Sequence, residues 1–135
     1  MILRAASSVS IVAFTFDSEV VTEALIEVRS RRGAPPPRCR LLMCGGYADR
    51  GNMQNRGPRL QRMRSHGVLV RLFRGGRRLH QKSLLADSVF YVGSMNFSEA
   101  SREYVERGVV LELPRAGAEA EMETFEALWR DGREE

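Results

Sequence analysis

Residues 79–97, LHQKSLLADSVFYVGSMNF, gather the side chains of this chain best suited to chemistry. On extended backbone, residues two apart share a face, so His80 and Lys82 project together. Ser94 and Asn96 stand in the same relation just after Gly93. Side by side, the two pairs offer an imidazole, an ammonium, a hydroxyl and a carboxamide. Such a set suits a phosphoryl group, with donors for its non-bridging oxygens and one group to attack phosphorus. No cluster of carboxylates fit for Mg²⁺ accompanies them, and the histidines and cysteines are not spaced for zinc, so no metal or other cofactor is indicated.

Lys82 is the only lysine of the chain, against 20 arginines. A position that keeps lysine in so arginine-rich a sequence points to a need for a compact ammonium that a planar guanidinium cannot replace. The net charge of +4 is strongly segregated: residues 29–78 carry 14 arginines and one acid, Asp49, whereas residues 99–135 sum to −6. A segment so basic fits a polyanion, whether nucleic acid or an anionic lipid surface, and equally the arginine bias of a GC-rich genome.

The elements that must position these residues are legible in the hydrophobic pattern. Residues 8–16, 38–44 and 68–73 read as strands, 79–86 and 89–92 as a hairpin about Asp87-Ser88, and 108–113 as a last strand. A helix follows Asp17 or Ser18 as cap, with Val20, Val21, Ala24, Leu25 and Val28 as its apolar stripe and Gly33 as its stop. A polar loop over 45–57 leads to a second helix opened by Pro58 and stopped by Gly67, where His66 caps the helix end. The segment 116–129 is helical, with Met122, Phe125, Leu128 and Trp129 on one stripe. Cys39 and Cys44, five apart on one strand, face opposite ways and do not pair. Strands interleaved with helices predict an α/β fold, a layered mixed sheet flanked by helices, in a single domain over 1–135.

With these residues in view, the sequence resembles the phospholipase D superfamily, whose signature is H-x-K-x4-D followed by G-S-x-N. His80, Lys82 and Asp87 match the first part, Gly93, Ser94 and Asn96 the second. Glu106, before Gly108-Val109-Val110, resembles the carboxylate that supports the histidine in that family. One departure is that five residues separate Asp87 from Gly93, where six are usual. The resemblance implies a metal-independent phosphodiester hydrolase in which His80 forms a covalent phosphohistidine. It also implies that Lys82, Ser94 and Asn96 hold the phosphate, Glu106 fixes the His80 ring, and Asp87 and Gly93 are structural members of the motif.

That chemistry uses two histidines, and the chain has one motif, so the resemblance implies a homodimer sharing one active site. Single-motif members of the family include nonspecific endonucleases of bacterial type and a cardiolipin-hydrolysing mitochondrial group. The expected substrate is accordingly a phospholipid or a nucleic acid. A nucleic-acid-binding module without turnover and a phosphatidyltransferase are the alternatives. No apolar run approaches the roughly 20 residues of a membrane span, and no secretory signal opens the chain. A soluble or membrane-peripheral protein is expected, with the cytoplasm and the mitochondrial surface both open as its location.

Overall fold

The computed structural model describes residues 1–33, 35–45, 53–76 and 78–134, without the side chains of 53–56. The elements in chain order are β1 (Ser8–Ala13), α1 (Glu19–Arg29), β2 (Arg38–Cys44), α2 (Met53–Ser65), β3 (Leu69–Phe73), β4 (Ser83–Ala86), β5 (Val89–Gly93), β6 (Gly108–Glu112), α3 (Arg115–Arg130) and β7 (Gly132–Arg133). They build a seven-stranded sheet in the order β6-β5-β4-β1-β2-β3-β7. The β1–β2 and β2–β3 pairs are parallel; the β1–β4, β4–β5, β5–β6 and β3–β7 pairs are antiparallel. This is the mixed, layered α/β sheet that the sequence predicts.

Alternation along the central strands explains the two layers of helices. On β1, Val9, Ile11 and Ala13 join Leu25 and Val28 of α1 and Leu60 and Met63 of α2 in one core. The intervening Val12, with Leu42 of β2, packs instead against Phe125 and Trp129 of α3. Cys39 lies in the first core and Cys44 in the second, both buried and free, as their odd separation requires. Burial pushes the Cys39 thiol up to about 11, which suits a packing residue rather than a nucleophile.

Three local details of the helices differ from the sequence pattern. Val20 is 61% exposed and not part of the α1 stripe, because Thr22, Leu25 and Val28 already fill the contact with the sheet. Ser18 is the cap, accepting from the Val21 amide, and α1 ends at Arg29 rather than at Gly33. The second helix does not open at Pro58; it begins at Met53 and carries Pro58 inside, while 46–52 of the expected loop lie outside the described residues. An interior proline costs the bond its missing amide would make, and burial of Leu60 and Met63 offsets that loss. The far end behaves as expected. Val68 donates to the Met63 carbonyl and Gly67, at φ 81°, to that of Arg64, closing the helix with glycine in the left-handed region. The His66 Nδ1 lies 2.8 Å from the Arg62 carbonyl oxygen.

Asp87 shows why the motif needs a carboxylate at the β4–β5 turn. Its Oδ2 accepts from the Ala6 amide at 2.7 Å and its Oδ1 from those of Ser7 and Ser8 at 2.9 Å each, so it fixes the start of β1 against β4. Its φ of 52° is left-handed, a conformation that Asp and Asn tolerate better than other side chains. Burial pulls the carboxyl upward, but the amide bonds of Ala6, Ser8 and Ser7 outweigh it and hold it below its ordinary value. The depressed group stabilises the fold above the unfolded-state value of about 4. That contribution is lost as pH falls through the folded-state value. Asp87→Ala is therefore expected to cost about 3 kcal/mol and Asp87→Asn about 1 kcal/mol. Urea melts should also show the gap between wild type and Asp87→Asn narrowing below about pH 4.

Candidate active site

His80 and Lys82 stand just before β4, and not inside a strand as expected. The ladder starts at Ser83, paired with Val12, one residue short of the Ala13 end of β1. The side chains still converge. Lys82 Nζ donates to the His80 carbonyl at 2.7 Å and lies 3.1 and 3.2 Å from the two ring nitrogens. An ammonium has only protons to give, so the nitrogen it meets serves as acceptor. His80 is exposed whereas Lys82 is 5% exposed. Burial pulls the Lys82 ammonium below its ordinary value, and the Glu106 carboxylate partly opposes this. The compact amine, seated between the histidine backbone and the Phe14 ring 5.2 Å away, leaves a guanidinium little room.

The second pair is joined to the first through the backbone, the Gly93 amide donating to the Lys82 carbonyl at 3.3 Å. Only glycine fits there: a Cβ would sit 2.6 Å from the Arg107 oxygen and from the Tyr91 hydroxyl. The short spacing from Asp87 to Gly93 is taken up by the two-residue turn at Asp87 and Ser88, with Ala86 paired to Val89 and Lys82 left beside Gly93. Ser94 is then held by β6's approach: its amide donates to Arg107 O at 2.8 Å, its hydroxyl to Glu106, and the Arg107 amide to its Oγ at 3.1 Å. Asn96 precedes Phe97, whose carbonyl accepts from the Asp17 and Ser18 amides at 2.9 and 3.0 Å, tying this loop to the start of α1. The Asn96 Oδ1 is buried and accepts no hydrogen bond among the described residues.

Glu106, expected beside the His80 ring, lies next to Ser94 in the structure. Its carboxylate takes the Ser94 hydroxyl, while the groups found against the His80 ring are Lys82 and Phe14. Cross-strand pairing of Gly93 with Gly108 sets Ser94 beside Arg107 and so delivers Glu106 to Ser94. Its reach into the first pair is electrostatic, through Lys82. Phe14 escaped the sequence reading altogether; its ring lies 4.6 Å from that of His80, tilted by 54°. Asp87 stands at the opposite end of β4 from His80 and Lys82, where it accepts from the amides of residues 6–8. Among the described residues no three His, Cys, Asp or Glu side chains gather to hold a metal.

The basic segment 29–78 also looks different once folded. Arg40 is buried, paired with Glu126 at 2.5 Å and 4.6 Å from the Phe125 ring centre. Arg59 and Arg62 pair with Glu19, and Arg71 with Glu134. Arg29 and Arg31 donate to backbone carbonyls of Pro37 and Ala5. Part of that positive charge is thus engaged within the chain, Arg40 most deeply.

The H-x-K segment thus lies beside the G-S-x-N segment across the Lys82–Gly93 backbone contact, on a mixed seven-stranded sheet. Residues 1–129 match the family described as cardiolipin synthase, PLD-like domain. The chain belongs to this phospholipase D-like family of phosphodiesterases. It is 26% identical over 132 residues to a mitochondrial cardiolipin hydrolase of Xenopus tropicalis, covering 97% of this chain and 59% of that protein. The chain thus spans less than two thirds of the length of that curated relative. Among solved structures it is similar to Nuc, a phospholipase D family member of Salmonella typhimurium, with a TM-score of 0.80 at 21% identity, over 98% of this chain and 84% of that one. NucT of Helicobacter pylori gives 0.76 at 17% identity, over 97% and 84%. At these identities the two structures speak for the fold.

Proposed function

We propose that the chain is a metal-independent phosphodiester hydrolase that works as a homodimer with one shared active site. The observation that carries this reading is the His80–Lys82 contact, an exposed imidazole whose nitrogens meet a buried ammonium. In the first step the Lys82 ammonium turns from the His80 ring to a non-bridging oxygen of the substrate, and the ring nitrogen lone pair so released attacks phosphorus. A P–N bond forms, the P–O bond to the leaving alcohol breaks, and the partner subunit's His80 gives that alcohol its proton. Water then attacks the phosphohistidine, its proton passes to the partner subunit's His80, and the P–N bond breaks. Lys82, Ser94 and Asn96 hold the non-bridging oxygens, and Glu106 orients the Ser94 hydroxyl and balances Lys82.

A single motif supplies one imidazole, so the second must come from another copy. A surface suited to that copy lies next to the site. The free edge strand β6 bares Val109, Val110 and Leu111 at 54, 59 and 45% exposure, and Tyr104 and Val105 precede Glu106 on the same exposed run. Adjacent apolar residues bare on both faces of an edge strand are the mark of a contact surface. An isologous contact there would bring two copies of the adjoining site together.

The substrate is a phosphodiester, of a phospholipid of the cardiolipin or phosphatidyl type or of a nucleic acid; the similarity to a cardiolipin hydrolase supports the first. The test is incubation in EDTA with bis(p-nitrophenyl) phosphate, single-stranded DNA and anionic phospholipid vesicles, for wild type and His80→Ala. Cleavage of at least one, abolished in the variant, is the expected result. DNA binding without cleavage, equal in both proteins, would instead indicate a nucleic-acid-binding module. Products carrying an added alcohol would indicate a phosphatidyltransferase.

A further inference from the structure

We infer that Phe14 is a positioning residue for His80, an inference that rests on the hydrolase reading above. His80 precedes β4 by three residues, so no strand ladder fixes its backbone, and its side chain is exposed. A nucleophile in that setting needs walls to hold its ring in line with phosphorus. Phe14 provides one. It directly follows the end of β1, a central strand flanked on both sides by ladders to β2 and β4. Its ring packs against the core formed by Val12, Leu42 and Trp129.

From that rigid base the ring touches both members of the H-x-K pair. It lies 4.6 Å from the His80 ring, at 54°, and 5.2 Å from Lys82 Nζ. A tilted aromatic pair at this separation is attractive and directional, so the flat face restricts rotation of the imidazole. The Lys82 Nζ also lies over the Phe14 ring while it donates to the His80 carbonyl at 2.7 Å, so the ring helps to seat the ammonium beside the imidazole. Removal of the ring thus frees the imidazole to turn away from the ammonium. Small misplacements of a reacting group cost on the order of 10²-fold in rate.

The experiment compares Phe14→Tyr, Phe14→Leu and Phe14→Ala with wild type on bis(p-nitrophenyl) phosphate. In parallel, the imidazole protons of His80 are followed by NMR. The chain has two histidines, so His66, just beyond the end of α2 and held by the Arg62 carbonyl, serves as internal reference. Leucine fills the volume without a flat face. The expected kcat falls about tenfold in Phe14→Leu and about 10²-fold in Phe14→Ala, with KM unchanged and Phe14→Tyr near wild type. The ring-current displacement of the His80 protons should vanish in Phe14→Leu while His66 stays put. Wild-type kcat in Phe14→Leu, or unmoved His80 resonances, would overturn the inference. Absence of any turnover by wild type would instead sink the hydrolase reading, and the NMR comparison still decides the role of Phe14.

Discussion

His80→Ala is expected to lower kcat about 10⁴-fold or more on whichever phosphodiester the protein cleaves, with KM little changed. The size of the effect follows from the two-step route. Without the imidazole there is no nucleophile for the first step and no phosphohistidine for water to open, and nothing nearby can substitute. His66 sits at the end of α2, held by the Arg62 carbonyl and Ser65. Lys82 and Ser94 remain to bind phosphate, which is why KM should move little. The side chain is exposed, so its loss should leave the thermal midpoint within the small range typical of surface substitutions. Rapid quenching of the wild type with labelled substrate, followed by acid-labile phosphate analysis, checks the covalent step that the variant cannot make.

The double substitution Val109→Glu and Val110→Glu should produce a folded but inactive monomer. Both side chains are more than half exposed on β6, so carboxylates there meet water in the isolated chain and cost little stability. In a dimer built on that edge they would meet their own copies, and unpaired charges in a desolvated contact are strongly unfavourable. A stable interface covers about 800 Å² per partner, near a tenth of the 8188 Å² surface of this chain. Sedimentation should report a monomer, circular dichroism an unchanged fold, and the assay a loss comparable to that of His80→Ala. A dimer that persists in the double variant would place the contact elsewhere.

How much of this could be read from residues alone differs from element to element. The strands were legible because Val9, Ile11 and Ala13 alternate with Ser10 and Val12 between two real cores. The motif was legible because H-x-K and S-x-N are local patterns, and local spacing survives folding. What eluded the sequence are contacts made by pairing. Phe14 meets His80 only because β1 runs antiparallel to β4, with Val12 opposite Ser83, and no spacing rule joins residues 66 apart. Glu106 was assigned by resemblance to the histidine, yet the Gly93–Gly108 pair delivers it to Ser94. The arginines misled in the same way. Arg40 counts as positive charge in a sequence, while in the fold it is a buried group answered by Glu126, Phe125 and Trp129. Pro58 misled because a proline that suits a first turn also survives deeper in a helix when its neighbours are buried.

The most direct test of one site built from two chains is a titration of wild-type subunits with His80→Ala subunits, co-expressed under separate tags and allowed to assort at random. If each turnover needs both imidazoles, an equal mixture should retain about a quarter of wild-type activity, the share of all-wild-type pairs. Purified mixed pairs should be inert over repeated turnovers. Activity falling in simple proportion to the wild-type fraction, to about half in that mixture, would mean that each chain works alone and would contradict the shared site.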